Sequence, residues 1–278
     1  MGVAEAGRKA VTQAAVWMWR SAKMVPLYRN WPIAVADRVV LRGQPRTYRL
    51  STRAGGATLA ARTWADTRII NELWIDDPYL GHLRAEFDAH LIVDVGANRG
   101  YFCVQAARRF PSATIVAYEP EPSNLELLAA NIEQNALANV IVRPIALVPD
   151  DREEVQLFEA VHPGYHSTLS PQEHEGRGLD ASCFTGRSLT LSCGNIGEEL
   201  TRVIGEHGPI DLLKIDTEGT ELDLIAALPD AVLAATANIV AEIEEEPSPE
   251  LLAHLRDAGF DTDQSRYYLT LNRRPPRP

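Results

Sequence analysis

Carboxylates close two apolar runs of this chain, at points where a ligand could be bound. The run Leu91–Val95 contains Asp94 and stops at Gly96, and the run Ala113–Tyr118 is followed at once by Glu119. Apolar runs of this length that end at a turn residue are typical of buried strands. Ligands of open α/β sheets bind beyond the carboxyl ends of the strands. Two carboxylates at that edge therefore indicate recognition of hydroxyl and amine groups on a nucleoside.

The turn after the first run narrows the class of ligand. Gly96 and Gly100 have G-x-x-x-G spacing, and Asn98 stands where a dinucleotide fingerprint has its middle glycine. The glycines are predicted to let the backbone approach the ligand closely. A side chain at the middle position, with Asp94 two residues before the first glycine, favours a ligand that has a positive amino group and no pyrophosphate. S-adenosylmethionine meets that description, and a nicotinamide-dependent oxidoreductase is the rival hypothesis.

A third apolar run supplies the first candidate for catalysis. Ile210–Ile215 ends at Asp216, whose carboxylate could orient or deprotonate an acceptor hydroxyl. If the ligand is S-adenosylmethionine and the acceptor is an alcohol, methyl transfer needs alignment of the two groups and removal of the hydroxyl proton. Glu218, in the turn that follows, is the second candidate. For both residues the alternative is a structural carboxylate at the start of the next helix. For the whole chain, the alternative to an enzyme is a noncatalytic partner subunit.

A long polar segment, His162–Arg187, carries three histidines and no clear periodicity. Segments of this length inside compact domains are usually functional, and we predict a lid over the cleft. His166, in the small-residue stretch Gly164–Thr168, is the third catalytic candidate, as a general base; the alternative is a solvated loop histidine. The histidines and Asp216 could together hold a divalent ion, but no helical H-x-x-x-H spacing supports such a site, and we predict no metal.

Three motifs resemble the FkbM family of S-adenosylmethionine-dependent methyltransferases. They are VDVGANRG at Val93–Gly100, AYEPEPSN at Ala117–Asn124 with Asn131 and Asn135 downstream, and DLLKIDTEGTEL at Asp211–Leu222. The resemblance covers about residues 66–245, and the third motif makes it much more specific than the first motif alone. It implies a class I methyltransferase fold, S-adenosylmethionine as cofactor, and O-methylation of a sugar, glycolipid or polyketide-type natural product.

The resemblance also implies a cofactor site. It places the turn Asp94–Gly100 around the methionine part of the cofactor, Glu119 on the ribose and the Arg143–Ala146 region near the adenine. The residues predicted to bind the cofactor are Asp94, Gly96, Asn98, Gly100, Tyr101, Glu119, Pro120, Asn124, Ala146 and Asp216. Many relatives carry Thr-Leu-Asp before the third motif, and here Ser192 takes the place of that aspartate.

The remaining patterns predict the sheet that would hold these residues. Strand-like and helix-like runs alternate from Leu91 onward. Ser123 begins one predicted helix with a capping box, and Ser248 begins another with proline at its first position. Such alternation predicts an α/β domain with a doubly wound, mostly parallel sheet. Shorter elements are predicted at Arg46–Arg62 (hairpin), Gly81–Ala89 (helix) and Leu189–Leu191 (strand). We assign residues 66–278 to the catalytic domain and residues 1–65 to a helical and hairpin extension that contacts the acceptor or a dimer partner.

Composition limits the partners and the location. The 278 residues carry 27 Lys plus Arg against 38 Asp plus Glu, a net charge of −11 that disfavours binding of nucleic acid. Three cysteines without C-x-x-C spacing fit a reducing compartment, and we expect a cytoplasmic protein. The apolar stretch Ala10–Trp19 is too short to span a bilayer. It fits either an amphipathic helix on a membrane surface or a helix that packs on its own domain or on a homodimer partner.

Overall fold

A computed structural model describes residues 22–32, 36, 48–52, 56–62, 64–83, 87–160, 166–167, 184–265 and 267–274. Contacts divide the chain into two compact units, Met1–Gly81 and His82–Pro278. This division lies later in the chain than the boundary predicted at residue 65. The predicted amphipathic helix at Ala10–Trp19 lies outside the described residues. The assignment of acceptor or dimer contacts to residues 1–65 stays a prediction.

The amino-terminal unit contains a hairpin and a helix. Its elements are strands β1 (Tyr48–Ser51) and β2 (Thr58–Ala61), helix α1 (Trp64–Asn71) and a π-helical continuation of α1 over Glu72–Asp76. The two strands pair antiparallel, which confirms the predicted hairpin. The buried Tyr28 donates its hydroxyl hydrogen to Asn71 Oδ1 at 2.9 Å, which ties the segment before the hairpin to the helix after it.

The second unit contains the strands and helices that carry the three motifs. Its strands are β3 (Leu91–Val95), β4 (Thr114–Tyr118), β5 (Val140–Arg143), β6 (Ala146–Val148), β7 (Glu154–Ala160), β8 (His166–Ser167), β9 (Phe184–Asn195), β10 (Ile210–Ile215), β11 (Thr236–Glu242), β12 (Phe260–Gln264) and β13 (Tyr268–Arg273). Its helices are α2 (Tyr101–Arg109), α3 (Pro122–Gln134), α4 (Ile196–His207), α5 (Glu221–Ala226), α6 (Asp230–Ala234) and α7 (Pro249–Asp257). Strands and helices alternate along the chain as predicted.

Seven of these strands form the main sheet, in the order β12-β13-β11-β10-β3-β4-β5. Neighbouring strands are parallel, except that β13 runs antiparallel to both β11 and β12. The predicted doubly wound, mostly parallel sheet is thereby confirmed. The chain proceeds outward from β3 to β4 and β5 and later returns to β10, on the other side of β3. The switch point of the sheet therefore lies between β3 and β10, which is where open α/β sheets bind ligands.

Apolar runs explain why the central strands are buried. All five residues of β3 and five of the six residues of β10 are buried. Strands that are covered on both faces read as continuous apolar runs instead of alternating patterns. Aliphatic side chains from α4, α5, α6 and α7 pack with these strands in one core cluster. This packing fixes where the carboxyl ends of the strands lie.

A second sheet of four strands follows β5 in the chain, in the order β6-β9-β7-β8. Strand β9 is parallel to β6 and antiparallel to β7. It spans twelve residues, whereas the sequence predicted only a short strand at Leu189–Leu191. The longer strand escaped prediction because residues 185–190 are exposed and lack an apolar alternation. Residues 161–165 and 168–183, most of the predicted lid, lie outside the described residues.

Two helix starts test the predicted caps. At α3 the cap is Glu121, whose carboxylate accepts hydrogen bonds from the amides of Ser123 and Asn124. The predicted capping box is therefore wrong, because the helix begins one residue earlier, at a proline that follows a capping carboxylate. At α7 the prediction is confirmed, since Ser248 Oγ accepts from the amide of Leu251 at 3.1 Å.

Two further local features differ from the sequence patterns. Gly81–Ala89 contains no helix among its described residues, although one was predicted. Strand β12 was not predicted because its sequence, FDTDQ, is mostly polar; among the described strands it pairs only with β13, at the edge of the sheet. Of the helices that the structure describes, none has the length and apolar character that crossing a bilayer requires.

Candidate active site

The carboxyl ends of β3, β4 and β10 open onto one pocket. Its empty space, including the open solvent at its mouth, is about 700 Å³. Ala146 and Leu147 of β6 and Leu157 of β7 form part of its wall. The pocket therefore lies at the switch point of the main sheet, where the sequence predicted a nucleoside site.

Most residues that were predicted to bind the cofactor line this pocket. Those at its wall are Gly96, Asn98, Glu119, Pro120, Asn124, Ala146 and Asp216, together with the catalytic candidate Glu218. Asp94, Gly100 and Tyr101 are buried and are not part of the lining. His166 lies in β8, where its backbone pairs with Glu159, and its side chain lies outside the described part of the structure. The role assigned to each residue stays a prediction.

Glu119 is held at the pocket by three N–H donors. Its Oε2 accepts from the Asn98 amide at 2.8 Å, and its Oε1 accepts from the Glu121 amide at 2.9 Å and from Asn124 Nδ2 at 3.3 Å. Burial raises the pKa of Glu119 to about 7, although these donors act in the opposite direction. Three of the roughly four acceptor positions of a carboxylate are taken. Oε2 can therefore still accept a hydrogen bond from a ribose hydroxyl.

Asn98 has the left-handed backbone conformation that the middle glycine of a fingerprint would need. Its φ is 49°, in a region that asparagine tolerates better than most residues do. Its side-chain Oδ1 is buried and has no hydrogen-bond partner. Because a buried acceptor without a partner is unfavourable, a ligand donor such as an ammonium group would stabilise this arrangement.

The packing of the protein itself requires a glycine at position 96, and it leaves little room for a side chain at Gly100. Both have a positive φ, 80° and 75°. A Cβ on Gly96 would lie 1.8 Å from the carbonyl oxygen of Asp216, and a Cβ on Gly100 would lie 2.3 Å from Leu128 Cδ1. Packing is thus a second reason for these glycines, and the predicted close approach to a ligand stays a prediction. Gly96 admits the chain after β10, and Gly100 admits α3; only Gly96 also borders the pocket.

The turn after β10 presents two carboxyl groups to the pocket. This stretch, residues 216–220, is called the Asp216 turn below; Asp216 and Glu218 both line the pocket. Glu221, at the start of α5, fixes the turn because its carboxylate accepts from the amides of Thr217 at 2.6 Å and Gly219 at 3.1 Å. The two candidate catalytic carboxyls are therefore carried on a backbone that a third carboxylate holds.

Glu218 combines an unusual backbone with an unusual acidity. Its φ is 61°, and left-handed conformations at residues other than glycine concentrate at functional sites. Burial, followed by the negative charges of Asp216, Glu242 and Glu221, raises the pKa of Glu218 well above its ordinary value. A carboxyl group that keeps its proton donates a hydrogen bond, whereas a general base must take up a proton. Asp216 is consequently the better candidate for the base and Glu218 for a hydrogen-bond donor.

Asp94 is the counter-ion of a lysine that the sequence patterns did not single out. Lys214 Nζ donates to Asp94 Oδ1 at 2.9 Å, and Cys103 Sγ donates to Asp94 Oδ2 at 3.1 Å. The side chains of Lys214 and Asp94 are 3% and 0% exposed. Lysine is almost never fully buried unless it is paired. Its presence inside the apolar run Ile210–Ile215 is the signal that could have identified it.

The pocket fits an adenosyl cofactor. Glu119 can accept from a ribose, the unpaired Asn98 oxygen suits an ammonium group, and Ile145, Ala146 and Leu147 offer an apolar wall for a base. In the part of the chain that the structure describes, no group of three or more histidine, cysteine or acidic side chains is arranged to hold a metal ion.

We expect the affinity for S-adenosylhomocysteine to fall as the pH is lowered through about 7. The ionised Glu119 carboxylate accepts a hydrogen bond from a ribose hydroxyl more strongly than the protonated carboxyl does, so protonation weakens binding of the ligand. The affinity should fall by up to about tenfold per pH unit below the pKa and level off above it. Calorimetry across this range, in buffers of different ionisation enthalpy, would measure the affinity and the proton that binding releases.

Two variants separate Glu119 from other titrating groups. Glu119→Gln cannot ionise, so we expect weak binding whose affinity no longer changes with pH near 7. Glu126→Gln, on the exposed face of α3, is the matched control and should keep the wild-type profile. An unchanged pH profile in Glu119→Gln would assign the ionisation to another residue.

Comparisons with known proteins agree with this geometry. Residues 94–262 match the family model described as the methyltransferase FkbM domain. The chain is 31% identical over 195 residues to methyltransferase sdnD of Sordaria araneosa, and the aligned region covers 63% of this chain and 75% of that protein. It is 28% identical over 232 residues to 31-O-demethyl-FK506 methyltransferase FkbM of Streptomyces tacrolimicus, covering 74% and 86%. It is 30% identical over 206 residues to AMB antimetabolite synthetase AmbE of Pseudomonas aeruginosa, covering 64% of this chain and 9% of that protein.

Proposed function

Because the chain belongs to the FkbM family of methyltransferases, we propose that it transfers the methyl group of S-adenosylmethionine to a hydroxyl of a sugar, glycolipid or polyketide-type natural product. One observation carries the proposal: a single pocket is lined by Glu119 and also by Asp216 and Glu218. Transfer to an alcohol requires that the methyl donor and an acid–base group share one site.

The cofactor half of the site would be held by residues of β3, β4 and β6 and the turns that follow them. S-adenosylmethionine supplies a methyl group on a positively charged sulfur. Glu119 would accept from its ribose, and the unpaired Oδ1 of Asn98 would accept from its ammonium group. Ile145 and Ala146 would lie along the adenine. Each of these contacts would use a hydrogen-bond acceptor or an apolar surface that the pocket offers to a ligand.

The acceptor half would be the Asp216 turn. Asp216 would orient the acceptor hydroxyl and take its proton as the oxygen attacks, which is a role for a carboxylate that is within hydrogen-bond reach. Glu218, whose pKa is raised by burial and by neighbouring carboxylates, would donate a hydrogen bond to another oxygen of the acceptor. Asp216 would thus accept the proton of the acceptor, and Glu218 would donate a hydrogen bond to it.

The relatives support the class of acceptor. The name of one relative places its methyl transfer on 31-O-demethyl-FK506, and another is named as an antimetabolite synthetase. These names favour a small molecule as the acceptor of this chain, and the first favours an oxygen as the atom that is methylated.

The decisive experiment supplies the protein with S-adenosylmethionine that carries a labelled methyl group. Fractionated glycans, lipids and secondary metabolites serve as acceptors, and mass spectrometry identifies whatever becomes labelled. We expect label on a hydroxyl of one fraction. Binding of S-adenosylhomocysteine without labelling of any fraction would favour a noncatalytic partner subunit. Stabilisation by NAD, with no binding of S-adenosylhomocysteine, would favour the oxidoreductase.

Residues 1–65 remain assigned, as a proposal, to acceptor choice or to self-association. Sedimentation of the full chain across a range of concentrations distinguishes the two. A dimer would support contacts between copies, and a monomer would leave acceptor choice as the role of this extension.

A further inference from the structure

Lys214 is a buried cation at the point where the two halves of the pocket meet. It stands in β10 directly opposite Asp94 of β3 in the parallel register. Its Nζ donates to Asp94 Oδ1 at 2.9 Å and to the carbonyl oxygen of Gly96 at 3.0 Å, and it lies 3.3 Å from Asp216 Oδ2. One ammonium group therefore contacts Asp94 of β3, Gly96 directly after β3, and Asp216, the proposed base.

The surroundings of Lys214 keep it charged. Burial alone would lower its pKa, but the carboxylates of Asp94 and Asp216 outweigh that effect and raise the pKa above its usual value. The Phe102 ring lies beneath the ammonium group, 5.7 Å from its centroid. Because a buried charge is stable only when it is paired and hydrogen-bonded, the position of Lys214 dictates where these carboxylates lie.

Asp216 has a like charge beside it that a cation offsets. Glu221, at the start of α5, is a carboxylate that interacts electrostatically with Asp216, whereas Glu218 keeps its proton because its pKa is raised well above its ordinary value. Lys214 opposes that repulsion from within the sheet. The backbone of the same turn is tied separately, since the Asp216 amide donates to the carbonyl oxygen of Val95 at 3.0 Å. Lys214 thus acts on the side chain, and the strand pairing acts on the main chain.

We propose that Lys214 is a positioning residue, which holds the Asp216 carboxylate and the Gly96 carbonyl at a fixed separation so that the acceptor hydroxyl and the cofactor methyl group are aligned. The proposal rests on the proposed function in so far as Asp216 is the base. Asp94, in turn, serves as the counter-ion of Lys214 and does not itself border the pocket.

The test removes the cation without leaving a buried charge alone. Lys214→Met by itself strands the Asp94 carboxylate, and such a variant is expected to fold poorly. In Lys214→Met with Asp94→Asn the buried pair is neutral, and the protein should fold. We expect this double variant to lose about 10²-fold in kcat, as a misplaced reacting group does, with a much smaller change in S-adenosylhomocysteine affinity.

A mutant cycle identifies Asp216 as the group through which Lys214 acts. Adding Asp216→Asn to the double variant should lower kcat by only about tenfold more, because the base is already misplaced, whereas Asp216→Asn alone should lower kcat by about 10³-fold. Losses that simply add, or a double variant with the wild-type kcat, would overturn the proposal. Arg273→Met removes a partly buried cation of β13 whose contacts lie away from the pocket, and it should leave kcat unchanged.

A second readout needs no acceptor. In crystal structures, the Asp216 carboxylate should leave its position in the double variant and keep it in the wild type and in Arg273→Met, because the double variant lacks the ammonium group that holds this carboxylate. An Asp216 carboxylate that keeps its wild-type position in the double variant would overturn the inference, whatever the activity. If the wild type labels no acceptor, the proposed function fails, and the crystal structures still decide whether Lys214 positions the Asp216 carboxylate.

Discussion

Asp216→Asn is expected to lower the rate of methyl transfer by about three orders of magnitude, while S-adenosylhomocysteine binds nearly as well as it does to the wild type. Asparagine has the shape of aspartate but cannot take up the hydroxyl proton. The backbone of the Asp216 turn should keep its position, because the amide of residue 216 still donates to Val95 O and Glu221 still holds the turn. The loss should therefore be seen in kcat.

Single-turnover transfer of a labelled methyl group, together with calorimetry of S-adenosylhomocysteine, separates chemistry from binding. Asp223→Asn is the matched control, since Asp223 is exposed on α5, one helix turn beyond the candidate site; it should keep the wild-type rate. A fully active Asp216→Asn would mean that another residue is the base. His166→Ala would then be the next variant, because His166 is the candidate whose side chain the structure does not describe.

Gly96→Ala is expected to destabilise the protein by about 3–5 kcal/mol, enough to leave little folded protein. Two effects combine at this position. The left-handed backbone, with φ of 80°, is unfavourable for alanine, and the new Cβ would lie 1.8 Å from the carbonyl oxygen of Asp216. No rotamer change relieves a clash with a backbone atom. A loss of this size is a large part of the roughly 5–15 kcal/mol that stabilises a typical domain.

Gly186→Ala separates conformational strain from the clash. Gly186 has a similar φ of 78°, and a Cβ there would meet no atom within 4 Å. It should lose only the conformational part, about 1–2 kcal/mol. Chemical denaturation of both variants measures the difference, provided that Gly96→Ala yields soluble protein. Equal losses of stability at the two positions would mean that the backbone at Gly96 can move away from the Asp216 turn.

These variants concern the same junction. The Gly96 backbone packs against the backbone of Asp216, and Lys214 contacts an oxygen of each. The cofactor half and the acceptor half of the pocket are thus joined directly, at the centre of the sheet. A substitution on one side of the junction is therefore expected to change the geometry of the other side. Substitutions at these positions should therefore be measured both singly and in combination.

The sequence by itself determined the local features of this protein. Leu91–Val95 and Ile210–Ile215 could be identified as buried strands because residues covered on both faces are apolar without interruption. Asp94 within the first of these strands, Asp216 directly after the second, and the Ser248 cap each depend on neighbours in the chain. The three motifs were specific enough to indicate the family, which the match over residues 94–262 confirms.

The tertiary structure decided which distant residues meet. Lys214 and Asp94 are 120 positions apart and pair only because β10 lies beside β3 in register. The atom that leaves no room for a side chain at Gly96 is likewise distant in sequence, since it is the carbonyl oxygen of Asp216, directly after β10. From the sequence alone, a lysine in an apolar run or a glycine in a turn can have many structural reasons. Strand order and register decide the reason, because they determine which distant residue pairs with the lysine and which backbone packs against the glycine.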